Sequence, residues 1–181
     1  MNQIWAPWRM EYIRGKHKGF DSCVFCQFAR QSEDDLAQHV IARSTYTFAT
    51  LNRYPYTYGH SMVIPYEHVP STEDLNPDTL ADLMQMTNQT MRVLREIADP
   101  PAFNIGANIG AAAGAGIAAH FHLHIVPRWN GDHSFMECIG GTRTVPDTLS
   151  NISEQMRAAW EQLFGPMQDL DIRQRPSEYS A

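Results

Sequence analysis

The densest chemistry in this chain lies in His120-Phe121-His122-Leu123-His124, followed by Ile125 and Val126. Side chains of an extended strand alternate between its faces, so this spacing sends three imidazoles one way and Phe121, Leu123 and Ile125 the other. The apolar set supplies the packing. The imidazoles are then expected about 6–7 Å apart on the opposite face, at a rise of about 3.3 Å per residue. Imidazole is largely neutral near pH 7 and is oriented through its second nitrogen, which suits it to act as a covalent nucleophile. An H-x-H pair also chelates a catalytic metal when a carboxylate or a third histidine joins it, and that alternative stays open on spacing alone. Residues 108–116, just before the histidines, read Asn-Ile-Gly-Ala-Ala-Ala-Gly-Ala-Gly. Small residues admit a ligand close to the backbone, and successive N–H groups form an anion-binding concavity. Far upstream, Cys23 and Cys26 make a C-x-x-C pair. With only 3 cysteines in the chain, the pair reads as metal-binding or redox-active rather than as part of a disulfide framework.

Positioning these groups requires strands and helices whose patterns are visible. Residues 40–42 and 45–51 are β-branched or aromatic and predict two strands. Residues 52–59 contain Pro55 and Gly59 and predict a turn, with a third strand over 60–65. Asn76-Pro77 places an N-cap residue before a proline at the first helical position. From there Leu80, Leu83, Met84, Met91, Val93 and Leu94 form a helical stripe that ends before Pro100. A fourth strand is expected over 103–109 and a fifth over 120–128, the latter carrying the histidines. A last helix is expected from about 146 to 164, with Ile152, Met156, Trp160 and Leu163 on one face. Residues 1–22 form an irregular arm anchored by Trp5, Trp8 and Tyr12, and a polar tail begins at Gln168. Without an internal repeat or a clear linker, the whole span 1–181 is expected to be one α+β domain with its core at about 20–135.

Composition bounds the partners. A chain of 181 residues with 43% hydrophobic and 19% charged residues is an ordinary globular domain. No apolar run reaches the ~20 residues that span a bilayer, and the first twenty residues lack a signal-peptide pattern. The expectation is a cytoplasmic protein without a membrane partner. A net charge of −6 argues against nucleic acid as a partner. An anionic small ligand remains compatible, held by backbone N–H groups and a few polar side chains.

On these residues the chain resembles the histidine-triad (HIT) superfamily of nucleotidyl hydrolases and transferases. Residues 120–126 fit its His-φ-His-φ-His-φ-φ signature, and residues 51–65, Leu-Asn-Arg-Tyr-Pro-Tyr-Thr-Tyr-Gly-His-Ser-Met-Val-Ile-Pro, resemble the N-R-x-P-x-x-x-G-H-x-x-V-x-P stretch of the Fhit-type branch. That branch cleaves diadenosine polyphosphates. Pro127-Arg128 and Gly131-Asp132 resemble its segment after the triad. The resemblance implies a HIT fold, a five-stranded antiparallel sheet with helices, assembled as a homodimer.

It also implies roles. His122 would be the nucleophile that forms a nucleotidyl-histidine, and His124 would contact the phosphate. Asn52 would hydrogen-bond the ribose, Asn108 would face the leaving group, and the backbone of Ala115, Gly116, Ile117 and Ala118 would line the α-phosphate. His60 is either structural or at the border of the base pocket. Trp129 and Trp160 belong to packing or dimer contacts. Zinc-bearing members suggest a structural Zn²⁺ in each subunit on Cys23, Cys26, His68 and His120, a closed Cys₂His₂ set, and no organic cofactor. Hydrolytic members carry glutamine and then serine or threonine where this chain has Gly116 and Ile117. That departure, with Trp5-Ala6-Pro7-Trp8-Arg9 and Pro127-Arg128-Trp129, resembles the bacterial diadenosine-tetraphosphate phosphorylases, which use orthophosphate as co-substrate. The expected activity is therefore cleavage of dinucleoside polyphosphates, phosphorolytic in preference to hydrolytic. A slow-turnover nucleotide-binding regulator and a zinc- or redox-sensing module built on Cys23 and Cys26 are the competing readings.

Overall fold

A computed structural model describes residues 23–30, 35–132 and 146–166. The amino-terminal arm, the polar tail, Cys138, His17 and His133 lie outside them. Five strands form one sheet: β1 (Val40–Arg43), β2 (Thr47–Leu51), β3 (Ser61–Pro65), β4 (Ala102–Gly106) and β5 (Leu123–Arg128). The order across the sheet is β1-β2-β3-β5-β4, and every neighbouring pair is antiparallel. The last strand in sequence thus inserts between β3 and β4, away from either edge. His124 sits opposite Met62 on one side and Gly106 on the other.

Alternation along the strands divides the interior into two layers. Ala49 and Leu51 on β2, Val63 on β3 and Ile125 on β5 join one cluster with Leu83, Leu94, Ile152, Met156 and Trp160. The last five come from the two long helices, α2 (Pro77–Ala98) and α3 (Leu149–Phe164), which cover that face. Phe48, Met62 and Ile64 point to the other face, where they meet Cys23, Phe25, Cys26, Tyr66 and Ile117. Both faces being covered is why β2 and β3 are buried at every position. Helix α2 starts as its sequence demands: Asn76 Oδ1 accepts the Thr79 N–H at 2.8 Å, with proline at the first helical position.

Several boundaries differ from the sequence expectation. The histidine strand begins at Leu123 rather than at residue 120, because the Phe121 N–H donates to the Val69 carbonyl instead of to a ladder partner. The fourth strand stops at Gly106 and the chain then passes into a short turn of 3₁₀ helix, Ala111–Ala113, flanked by left-handed Gly114. Helix α3 starts at Leu149 behind its N-cap Thr148. A seven-residue helix, α1 (Val24–Arg30), carries Cys26 directly after Cys23. It is too short for a hydrophobic period to announce.

Candidate functional site

The imidazoles of the triad lie on the side away from the two long helices, as the alternation predicts, and serve two sites. His120 lies in the turn before β5 and is completely buried. Its Nε2 is 2.9 Å from the Pro65 carbonyl. A carbonyl only accepts, so Nε2 carries the proton and the lone pair is left on Nδ1. That bare nitrogen faces Cys23 Sγ at 3.4 Å and Cys26 Sγ at 3.5 Å. His68 closes the group, its Nδ1 standing 3.1 Å from Cys26 Sγ. The four ligand atoms lie within 4.8 Å of one another, so Cys23, Cys26, His68 and His120 together can hold a metal ion. The donor chemistry fits: two sulfurs and two imidazoles make a closed tetrahedral set. The hydrogen bond from Cys26 holds the Cys23 thiol well below its ordinary range, against the opposing effect of burial. The second bond of His120, to Pro65, is the outer contact that fixes a ligating histidine in one tautomer.

His122 and His124 form the second site, on the sheet face opposite α2 and α3. Their rings are 5.0 Å apart. His122 Nδ1 is 2.9 Å from the carbonyl of His120, so by the same rule Nδ1 is protonated and the lone pair sits on Nε2. Burial holds the His122 pKa below its ordinary value, so the neutral form that has this lone pair is favoured. Phe25, between the two cysteines in sequence, packs against the rings of both His120 and His122, at 5.5 and 5.1 Å. A neutral imidazole with a fixed free nitrogen can attack phosphorus. A catalytic metal on the triad is a poor fit: His120 points its bare nitrogen at the cysteines, and among the described residues the group of His, Cys, Asp or Glu ligand atoms close enough for a metal is Cys23, Cys26, His68 and His120.

Two further residues join this site: His60, expected to be structural or at the border of a base pocket, and Phe25, to which the sequence assigns no role. His60 is completely buried, and its Nε2 is 3.0 Å from His124 Nδ1. The Tyr56 N–H donates to His60 Nδ1 at 3.0 Å. A neutral His60 then carries its proton on Nε2 and donates to His124 Nδ1, which places the His124 proton on Nε2. Phe25 is the other. Its only sequence signal is its place inside C-x-x-C, whereas His60 is announced by the turn residues Gly59 and Pro55 before it. Gly59 is required there: its φ is +70°, and a Cβ would approach Leu94 Cδ2 to 2.6 Å.

Asn52 borders the same row. Its amide nitrogen is 3.4 Å from His60 Nε2, and its Oδ1 accepts the Tyr54 N–H at 2.9 Å. Residues 108–118 run from just after β4 to the turn before β5. Asn108 and Gly116 are exposed. The Ala115 N–H turns back to the Gly110 carbonyl at 3.4 Å. The Ile117 side chain packs into the cysteine-side core, so only its backbone is open to a ligand role. The left-handed glycines of this stretch are Gly110 and Gly114 and not Gly116, so backbone geometry does not demand glycine at 116.

Comparison with known proteins agrees with this geometry. The model of the HIT domain matches residues 33–131. An AP-4-A phosphorylase of Mycobacterium tuberculosis is 35% identical over 167 residues, covering 88% of this chain and 85% of that protein. An asymmetrical bis(5'-nucleosyl)-tetraphosphatase of Schizosaccharomyces pombe is 34% identical over 103 residues, 57% of this chain and 56% of that protein. A Zn-bound histidine triad family protein from Mycobacterium smegmatis superposes with a TM-score of 0.64 at 34% identity, covering 80% of this chain and 97% of that one.

Proposed function

The chain belongs to the HIT domain family, and from that membership we propose that it cleaves dinucleoside polyphosphates through a nucleotidyl-His122 intermediate, with orthophosphate as the second acceptor. The observation that carries the reading is the bare Nε2 of His122, whose other nitrogen is tied to the His120 carbonyl. In the first step Nε2 forms a bond to the α-phosphorus, and the bond to the bridging oxygen breaks. That oxygen departs with the electron pair as the terminal oxygen of a shorter nucleotide. His124, a donor through Nε2–H, steadies the charge developing on the phosphoryl oxygens. In the second step an oxygen of orthophosphate bonds to the same phosphorus and the N–P bond breaks, restoring His122. Diadenosine tetraphosphate and phosphate would give ADP and ATP. Asn52 would hold the ribose, Asn108 would face the leaving group, and the backbone of Ala115, Gly116, Ile117 and Ala118 would line the α-phosphate.

Cys23, Cys26, His68 and His120 would hold one structural zinc per subunit, which pins α1 to the turn before β5 and supplies no step of the reaction. The pair of subunits would meet at β4, which is a sheet edge and leaves Ile105 exposed.

Orthophosphate as acceptor is favoured by the small residue at Gly116 and by the mycobacterial phosphorylase relative. The hydrolytic reading is favoured by the Schizosaccharomyces tetraphosphatase relative. Incubating the protein with diadenosine tetraphosphate, with and without orthophosphate, separates them. Phosphorolysis gives ADP plus ATP at a rate that rises with phosphate. Equal cleavage to AMP plus ATP without phosphate overturns phosphorolysis and leaves hydrolysis.

A further inference from the structure

With two exceptions the large aromatic side chains of the described residues are buried or half-buried, Phe48, Tyr66 and Phe121 among the buried. Tyr54 and Tyr56 are the exceptions: they are the aromatic members of the exposed large hydrophobic set, at 57% and 36%. They are not on a loose loop. The Asn52 N–H donates to the His60 carbonyl at 2.8 Å, closing the segment between β2 and β3. Inside it the Tyr54 N–H is held by Asn52 Oδ1 and the Tyr56 N–H by His60 Nδ1. Thr57 Oγ1 donates to the Pro127 carbonyl at 2.9 Å and ties the segment to β5. Pro55 between the tyrosines restricts Tyr54 to extended backbone. Two exposed rings are thus carried on a fixed backbone, an arrangement that costs little entropy when a ligand lands on it.

Their location joins them to the reactive row. The Tyr56 ring is 4.5 Å from the His60 ring and 6.3 Å from the His124 ring, nearly parallel to the latter at 24°. His124 in turn flanks His122. The aromatic surface begins where the row of imidazoles ends, so a phosphate seated at His122 and His124 brings an attached nucleoside within reach of it. We propose that Tyr54 and Tyr56 form the shelf on which a nucleobase of the substrate stacks. This rests on the nucleotide reading of the site and names the side chains that would select a substrate bearing a base over a bare polyphosphate. Flat heteroaromatic rings stack on tyrosine faces without needing a particular hydrogen-bond pattern.

The test compares Tyr54→Ala, Tyr56→Ala and Tyr56→Phe with the parent protein on three probes. These are diadenosine tetraphosphate as substrate, and AMP and inorganic tripolyphosphate as competitive inhibitors. The alanine variants should lose about tenfold in kcat/KM for the dinucleotide, mostly through KM, while inhibition by tripolyphosphate stays unchanged and Tyr56→Phe behaves as the parent. Weakened inhibition by AMP identifies the base as the one retained on His122. An effect on the dinucleotide with none on AMP identifies it as the departing one. Equal weakening of tripolyphosphate overturns the shelf, since the tyrosines then support the phosphate site. Unchanged values for both alanine variants overturn it too. A parent protein that neither cleaves the dinucleotide nor binds AMP sinks the functional reading itself, an outcome distinct from parent turnover with unmoved variants.

Discussion

His120 works through three different groups at once. Nδ1 faces the cysteines, Nε2 binds the Pro65 carbonyl, and its own carbonyl holds Nδ1–H of His122. The tautomer of His122, the proposed nucleophile, is therefore set by backbone, and a change of its side chain should leave the scaffold intact. His122→Ala should reduce turnover by more than about a hundredfold with little change in melting temperature. Retention of a larger fraction of the rate would remove His122 from the mechanism. His60 tests the neighbouring ring. Its Nε2 proton can be replaced by the amide of glutamine but not by phenylalanine. His60→Phe is expected to lower kcat roughly tenfold, and His60→Gln to restore most of it. If both variants fall equally, His60 is merely filling space and the orientation of His124 does not depend on it.

At the scale of elements, the loop from β2 to β3 is set by a glycine. Gly59 combines a left-handed backbone with contact on Leu94 of α2. Gly59→Ala should cost about 2–4 kcal/mol and lower the melting temperature by roughly 5–10 °C. A drop within about one degree would show that α2 yields without strain. Legibility in the sequence follows the range of the interactions. The alternation of Phe121, Leu123 and Ile125 against the histidines is local, and all three reach the core as the pattern requires. Asn76-Pro77 is equally local and marks the start of α2. The bond between His60 and His124 joins residues 64 apart, and no spacing rule connects them. The division of the triad between two sites was implied by the family resemblance and not by spacing. It arises because the strand starts after His122, a boundary set by the Phe121 bond to Val69 and not by any residue type.

On the scale of the whole molecule, α1 is fastened to the sheet at both ends. Arg43 on β1 donates to the Phe28 carbonyl at 2.6 Å while paired with Asp35, and the cysteines meet His68 and His120. Metal analysis of the purified protein should give close to one zinc per subunit. Cys23→Ser should lower both metal content and melting temperature. A metal-free protein of full stability would remove zinc from the account. The cysteine–histidine contact also spans 97 residues of sequence, and a zinc bridging it would withdraw on the order of 4–5 kcal/mol of freedom from the unfolded chain, as a cross-link of that separation does. Closing so long a loop is a late event in folding. During synthesis, the triad emerges from the ribosome long after α1 has done so. A nascent chain stopped before residue 120 holds its cysteines with His68 but without His120, and it acquires His120, its backbone carbonyl and His122 in the same short stretch of elongation.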